Sequence, residues 1–207
     1  IGKWHLKSEP TGFNYWKILK GQGEYYNPLI VDNAGERNVE GYVTDIITDL
    51  ALETLESRDK DKPFAMLVHH KAPHRNWMPN LKYLGTFKDR KFPLPETFYD
   101  DYSTRTAAAR ESDMRIDDMF LTWDMKLRPD DIEQETGSGG SGQVSGMIRD
   151  SYREWMNDEQ REAWEAYYDQ ISADFRKANL SGNALLEWKF QRYMEDYLGV
   201  LLSVDDN

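Results

Sequence analysis

The stretch from Thr44 to Trp77, TDIITDLALETLESRDKDKPFAMLVHHKAPHRNW, limits the folds open to this chain more than any other. Its first part places Ile46, Ile47, Leu50, Ala51 and Leu55 on one face, with Thr44 available as a cap and Pro63 beyond the end. That spacing predicts an amphipathic helix. Phe64 to His70 is then a short apolar run between a charged loop and a proline turn, the pattern of a buried strand in a parallel sheet. Helix, buried strand and loop in that order imply α/β architecture, where ligands collect beyond the carboxyl ends of the strands. Residues His69 to Trp77 occupy that place.

Three of the four histidines fall at His69, His70 and His74, and the residues themselves leave three chemistries open. Zinc would use His70 and His74 at HxxxH spacing, but that spacing works on a helix and Pro73 after a β-type run opposes one. Acid–base or oxyanion chemistry would use an imidazole donating to an anion, and Pro73 fixes the backbone that aims His74 away from the strand end. Packing and hydrogen bonding at a strand end would account for His69 and His70. The fourth histidine lies in IGKWHL at the start. If extended, that segment points Lys3 and His5 to one side and Trp4 to the other, a compact donor pair for a tetrahedral anion.

Elsewhere, YYNPLIVDNAGERNVEGYV, residues 25–43, predicts a hairpin turning near Asn33 to Gly35. Residues 78–99 read as an extended surface loop, and a helix is expected from about Tyr102 to Met119. Arg128 to Gly146 is acidic and then rich in Gly and Ser, the composition of a flexible linker or insertion. Two helices follow. Asn157 and Gln160 have capping-box spacing at the start of the first, and the second carries an expected apolar face of Leu185, Trp188, Tyr193, Tyr197 and Leu201. The expected organisation is therefore 1–127, 128–146 as a linker or insertion, and 147–207 as a helical segment of the same domain.

The 207 residues carry a formal charge of −11 and no cysteine. Disulfides, thiolate nucleophiles and cysteine-ligated zinc are excluded within the chain, and a nucleic-acid partner is not expected from an acidic protein. No apolar run is long enough to span a membrane. The charge is uneven: residues 1–20 hold Lys3, Lys7, Lys17 and Lys20 against Glu9, and residues 60–92 hold eight Lys and Arg against Asp61 and Asp89. From Met147 onward, seven basic residues face thirteen acidic ones. The two histidine-bearing segments are locally basic, and if they meet they form an anion site whose attraction is confined to it.

GKWHL followed by the apolar run and HKAPH resembles the type I, formylglycine-dependent sulfatases of the alkaline-phosphatase-like superfamily. The longer segments GYVTDIITDLALETLESRDKDKPFAMLVHHKAPHRNW and KFQRYMEDYLGVLLSVDDN carry the same likeness, nearest to bacterial carbohydrate sulfatases of the Bacteroides type, including those acting on 6-sulfated N-acetylglucosamine. The resemblance implies α/β fold class, a partial alkaline-phosphatase-like fold with a parallel-sheet core segment and a helix-rich C-terminal third. It implies catalytic roles for Lys3, His5 and His74 around a sulfate, with Lys71, Arg75, Asn76 and Trp77 as flanking sugar contacts. It also implies a sulfated carbohydrate partner, calcium in the intact enzyme and a periplasmic or secreted location.

Departures from the family pattern bear on activity. The nucleophile of the family arises from a Cys or Ser in C/S-x-P-x-R, whereas SEPTG at Ser8 to Gly12 has no arginine. The acidic residues that hold calcium in the family have no counterpart, and Asp205, Asp206 and Asn207 match a helix ahead of the late metal segment. An internal fragment is expected, inactive by itself, with calcium ligands outside the chain. A phosphatase or phosphodiesterase of the same superfamily, and a non-catalytic module binding sulfated glycans, are the alternative readings. Nothing in the sequence sets the oligomeric state.

Overall fold

A computed structural model of the chain describes residues 1–112, 115–129, 132 and 154–207. Its sheet has four strands in the order β1 (Gly2–Lys3), β2 (Ile18–Leu19), β3 (Leu29–Asp32) and β4 (Gly35–Asn38). β1 runs parallel to β2, while β2–β3 and β3–β4 are antiparallel. The predicted hairpin is β3–β4, with Asp32 opposite Gly35 across a two-residue turn. The Asp32 carboxylate accepts from the Ala34 amide at 2.8 Å and pairs with Arg37 at 2.6 Å, so the turn residue that begins the hairpin also ties its second strand.

Phe64 to His70 departs from the expectation of a buried strand. It is extended and bridges β1 in parallel at His69 opposite Gly2, with the Lys3 amide donating to the His69 carbonyl at 2.7 Å and the His69 amide to the Ile1 carbonyl at 2.9 Å. Phe64 and Leu67 remain 55% and 49% exposed. A strand buried on both faces needs neighbours on both edges and layers above and below. Among the described residues, this one has β1 on a single edge.

Helix α1 (Val43–Ser57) forms where the apolar spacing requires it and buries Val43, Ile46, Ile47 and Ala51. Thr44 is not its cap. Tyr42 holds that position without a side-chain bond, and Thr44 is fully buried inside the first turn. The helix expected over Tyr102 to Met119 shrinks to α2 (Ala107–Arg110) among the described residues. Upstream of it, the carboxylates of Asp100 and Asp101 each accept from the backbone amide two residues on, at 2.8 Å; downstream, Asp118 accepts from the Arg115 amide three residues before it at 3.1 Å. Such local bonds offer the backbone an alternative to the helical ladder.

Helices α3 (Asp158–Ala178) and α4 (Gly182–Asp205) fulfil the helical reading of the C-terminal third, and Asn157 with Gln160 makes the predicted capping box. Leu185, Trp188 and Tyr193 of the expected apolar face pack against the cluster of Leu121, Met125 and Leu127, and a more deeply buried stripe runs beside them. α4 buries Lys189, Phe190, Arg192, Asp196, Gly199, Val200 and Ser203, while Leu185, Trp188, Tyr193, Tyr197 and Leu201 are half-buried. The buried charges are paired: Asp196 accepts from Lys126 Nζ, Arg192 Nη2 and the Tyr168 hydroxyl at 2.7, 2.7 and 2.9 Å. One apolar cluster joins Leu19, Tyr25 and Ile30 near the sheet to Ile47 on α1, Trp164 and Tyr168 on α3, and Val200 on α4. Residues on both sides of the Gly/Ser-rich stretch therefore share a core. Of the stretch 128–146, all but Arg128, Pro129 and Ile132 lies outside the described residues.

Candidate functional site

The geometry starts at Gly2. Its φ is +94°, and a Cβ built there would lie 2.1 Å from the His69 carbonyl oxygen. Only glycine allows β1 to approach the 64–70 segment so closely. The approach sets Lys3, on β1, beside the loop that follows His69. In that loop the His74 amide donates to the Lys71 carbonyl at 3.1 Å, and the buried Tyr25 hydroxyl donates to the His74 carbonyl at 2.7 Å.

Four basic side chains interact electrostatically there. Burial holds the His74 imidazole below its ordinary range; the neighbouring Arg75 carbonyl opposes this, and the positive charges of Lys71, Lys3 and His5 add to it. Burial pushes the Lys71 ammonium down to about 8, with Glu24 acting against the shift and Lys3 with it. Burial also lowers Lys3. Basic groups that lower one another in this way are each stabilised when an anion arrives among them.

The remaining candidates are placed differently. Lys71 turns inward, 7% exposed, with Nζ 3.4 Å from the Gln22 carbonyl and over the Tyr25 ring; it contributes charge from behind the loop. Arg75 is gripped by Asp124 through Nε at 2.6 Å and Nη2 at 2.5 Å. Trp77 packs edge-on against Tyr193 and Tyr197 of α4, and Asn76 is half-buried between these two. His69 keeps Nδ1 at 3.3 Å from the Lys3 carbonyl, while His70 is half-buried and lowered by burial. Glu24, Tyr25 and Asp124 were not among the residues the sequence singled out. Their partners lie 49 positions away in the cases of Tyr25 and Asp124, beyond any local pattern.

A cavity of about 440 Å³ opens beside the same strand and is lined by Lys3, Trp4, Phe13, Trp16, Phe64 and His69, among others. The described residues contain no group of three or more His, Cys, Asp or Glu able to hold a metal ion. Calcium therefore finds no donor set in them. Among them, too, no helix is long and apolar enough to cross a membrane.

No family model matches the chain. Individual relatives do. Over all of its length it is 45% identical to an N-acetylglucosamine-6-O-sulfatase of Bacteroides thetaiotaomicron, of which it spans 36%. It is 29% identical, over 45% of its length, to the N-acetylglucosamine-6-sulfatase of Homo sapiens, of which that match covers 18%. All of the chain also superposes on 41% of a solved structure with a TM-score of 0.87 and 44% identity; that protein was captured with its substrate, D-glucosamine-2-N,6-O-disulfate. The chain thus spans little more than a third of the sulfatase it matches from end to end, and its mixed α/β fold is shared with that part.

Proposed function

We infer that this chain is a segment of a type I carbohydrate sulfatase and that its part in the reaction is to hold the sulfate group of a sulfated sugar. The observation that carries the reading is that the positive charges of Lys71, Lys3 and His5 all act on the half-buried His74 imidazole, beside the Gly2–His69 bridge. The sulfatase names of the relatives support the reaction class. A 6-sulfated N-acetylglucosamine is the substrate in this reading, in keeping with those names. Lys3 and His5 neutralise charge on the sulfate oxygens. His74, in its charged form, donates the proton that the leaving sugar oxygen takes up as the sulfur–oxygen bond breaks.

Formylglycine and calcium, which the family resemblance implies, would be supplied by sequence outside this chain, as would any further sugar contacts. The sequence contains neither cysteine nor a Ser-x-Pro-x-Arg run. The 207-residue chain is accordingly expected to bind inorganic sulfate yet release none from 6-sulfated N-acetylglucosamine. A secreted or periplasmic location belongs to the same proposal and rests on the resemblance.

The test is sulfate affinity as a function of pH. The folded His74 pKa lies below its ordinary value, so its positive charge is gained only as pH falls below the usual histidine range, and affinity rises there. Lys71 carries charge below about 8 and loses it above, so affinity falls a second time as pH rises through that value. Calorimetric titrations at several pH values should show both steps. A pH-independent affinity would count against the cluster, and equal affinity for phosphate and sulfate together with phosphate release by the full-length protein would favour a phosphatase.

A further inference from the structure

We propose that Asp124 is a positioning residue for His74: it clamps Arg75 so that the Arg75 carbonyl holds the His74 ring with Nε2 free for the anion. The inference rests on the reading of His74 as an anion ligand. His74 Nδ1 is hydrogen-bonded to the carbonyl oxygen of Arg75. A carbonyl can only accept, so Nδ1 carries the proton, and Nε2 is the nitrogen left to take up a second proton and donate it to a substrate anion. The position of that carbonyl depends on Arg75, and Arg75 is tied at its far end.

The tie is a two-pronged one. Asp124 has a side chain fully withdrawn from solvent, whereas that of Arg75 is 32% exposed. The carboxylate meets Nε and Nη2 with one oxygen each, and the guanidinium lies 4.6 Å from the centre of the Trp123 ring. Fork-to-fork pairing fixes orientation as well as distance. Asp124 is itself held, since its Oδ2 accepts from the Phe120 amide at 2.8 Å and its backbone carbonyl accepts from Lys126 Nζ at 2.9 Å. Lys126 Nζ in turn meets Asp196 of α4 at 2.7 Å. The other side of His74 is fixed by Tyr25 through the His74 carbonyl. An ordinary surface arginine in a substrate loop would leave the guanidinium free for the sugar. Here it faces inward, and what it orients is the residue before it.

The experiment is nitrogen-15 NMR of the imidazole of His74 in the full 207-residue chain, with Asp124→Asn and Arg75→Lys as variants. The unmodified chain should show His74 protonated at Nδ1 in its neutral form. Either variant breaks the fork, and each should raise the Nε2–H tautomer to a substantial share of the neutral form; with the carbonyl no longer supporting the charged ring, inorganic sulfate binding below neutral pH should weaken about tenfold, the worth of one charge-assisted hydrogen bond. Arg75→Lys alters a partly exposed side chain and keeps the charge, so it carries the test if Asp124→Asn fails to fold. An unchanged His74 tautomer in a folded variant overturns the proposal, even where thermal stability falls. The tautomer is read without any anion, so a chain that binds no sulfate would defeat the function proposed above and leave this readout to decide separately.

Discussion

Asp196→Ala is expected to destabilise the chain by about 3–5 kcal/mol, because it strands the buried Lys126 ammonium and leaves Arg192 with Glu195 as its remaining carboxylate. Lys126 and Arg192 are 3% and 5% exposed, and both donate to Asp196, which is itself 4% exposed. Burial lowers the Lys126 pKa and the Asp196 carboxylate resists that shift. Without the carboxylate the ammonium has no compensating charge at 2.7 Å, and the Tyr168 hydroxyl loses its acceptor as well. For a chain of this size the loss corresponds to a fall in Tm of roughly 6–20 °C. Asp196→Asn should fall between the two, since its amide keeps one acceptor but turns a donor toward a donor. Exposed pairs provide the contrast: Lys62–Asp59, with side chains 77% and 50% exposed, should be removable with no measurable change in Tm. If Asp196→Ala and Asp59→Ala unfold at the same temperature, the buried network does not stabilise the fold.

Gly2→Ala is expected to separate β1 from the His69 segment. Two independent penalties act at that position. The φ of +94° lies where side chains are strained, and the new methyl would overlap the His69 carbonyl oxygen; together these cost roughly 2–4 kcal/mol. The structure can avoid the clash by opening the Gly2–His69 bridge, which also breaks the 2.7 Å bond from the Lys3 amide. Lys3 then moves away from His74, and sulfate affinity should drop at least about tenfold. Gly12→Ala separates the two causes, because Gly12 has φ of +81° but nothing within 4 Å of a built Cβ. That variant should lose stability and keep its sulfate affinity. Equal loss of sulfate affinity in both would mean that the close approach at Gly2 does not hold the site.

How much of this was legible in the sequence depends on the range of the interactions. The β3–β4 hairpin, α1, the Asn157–Gln160 box and α4 were readable because each is set by residues within a turn or two of one another. The apolar face of α4 was readable as far as Leu185, Trp188 and Tyr193, but its buried polar stripe was not. Lys189, Arg192, Asp196 and Ser203 have helical spacing but polar side chains, and a polar stripe reads as solvent-facing unless its partners are known. For Lys189 and Asp196 those partners, Asp117, Met119 and Lys126, lie about 70 residues away. Phe64 to His70 shows the converse, since an apolar run reports what a strand would prefer to be packed against and not which neighbours it has. The expected helix after Tyr102 was lost to Asx turns that compete at Asp100 and Asp101.

The candidate site divides in the same way. Residue types and local charge pointed to Lys3, His5 and His74, and the parallel bridge between β1 and the 64–70 segment sets them within electrostatic reach. Arg75 and Trp77 looked like sugar contacts because they flank His74 in sequence. Their side chains also meet Asp124 and the α4 tyrosines, contacts that only the tertiary structure brings about.

The central claim is that Lys3, His5, Lys71 and His74 form one sulfate-binding cluster. It is tested most directly by titrating inorganic sulfate into the chain near pH 6 and comparing the unmodified protein with His74→Ala and Lys3→Ala. The account predicts saturable binding by the unmodified chain, an upward shift of the His74 pKa on saturation, and affinity at least about tenfold weaker in each variant. The same affinity in all three proteins would contradict it.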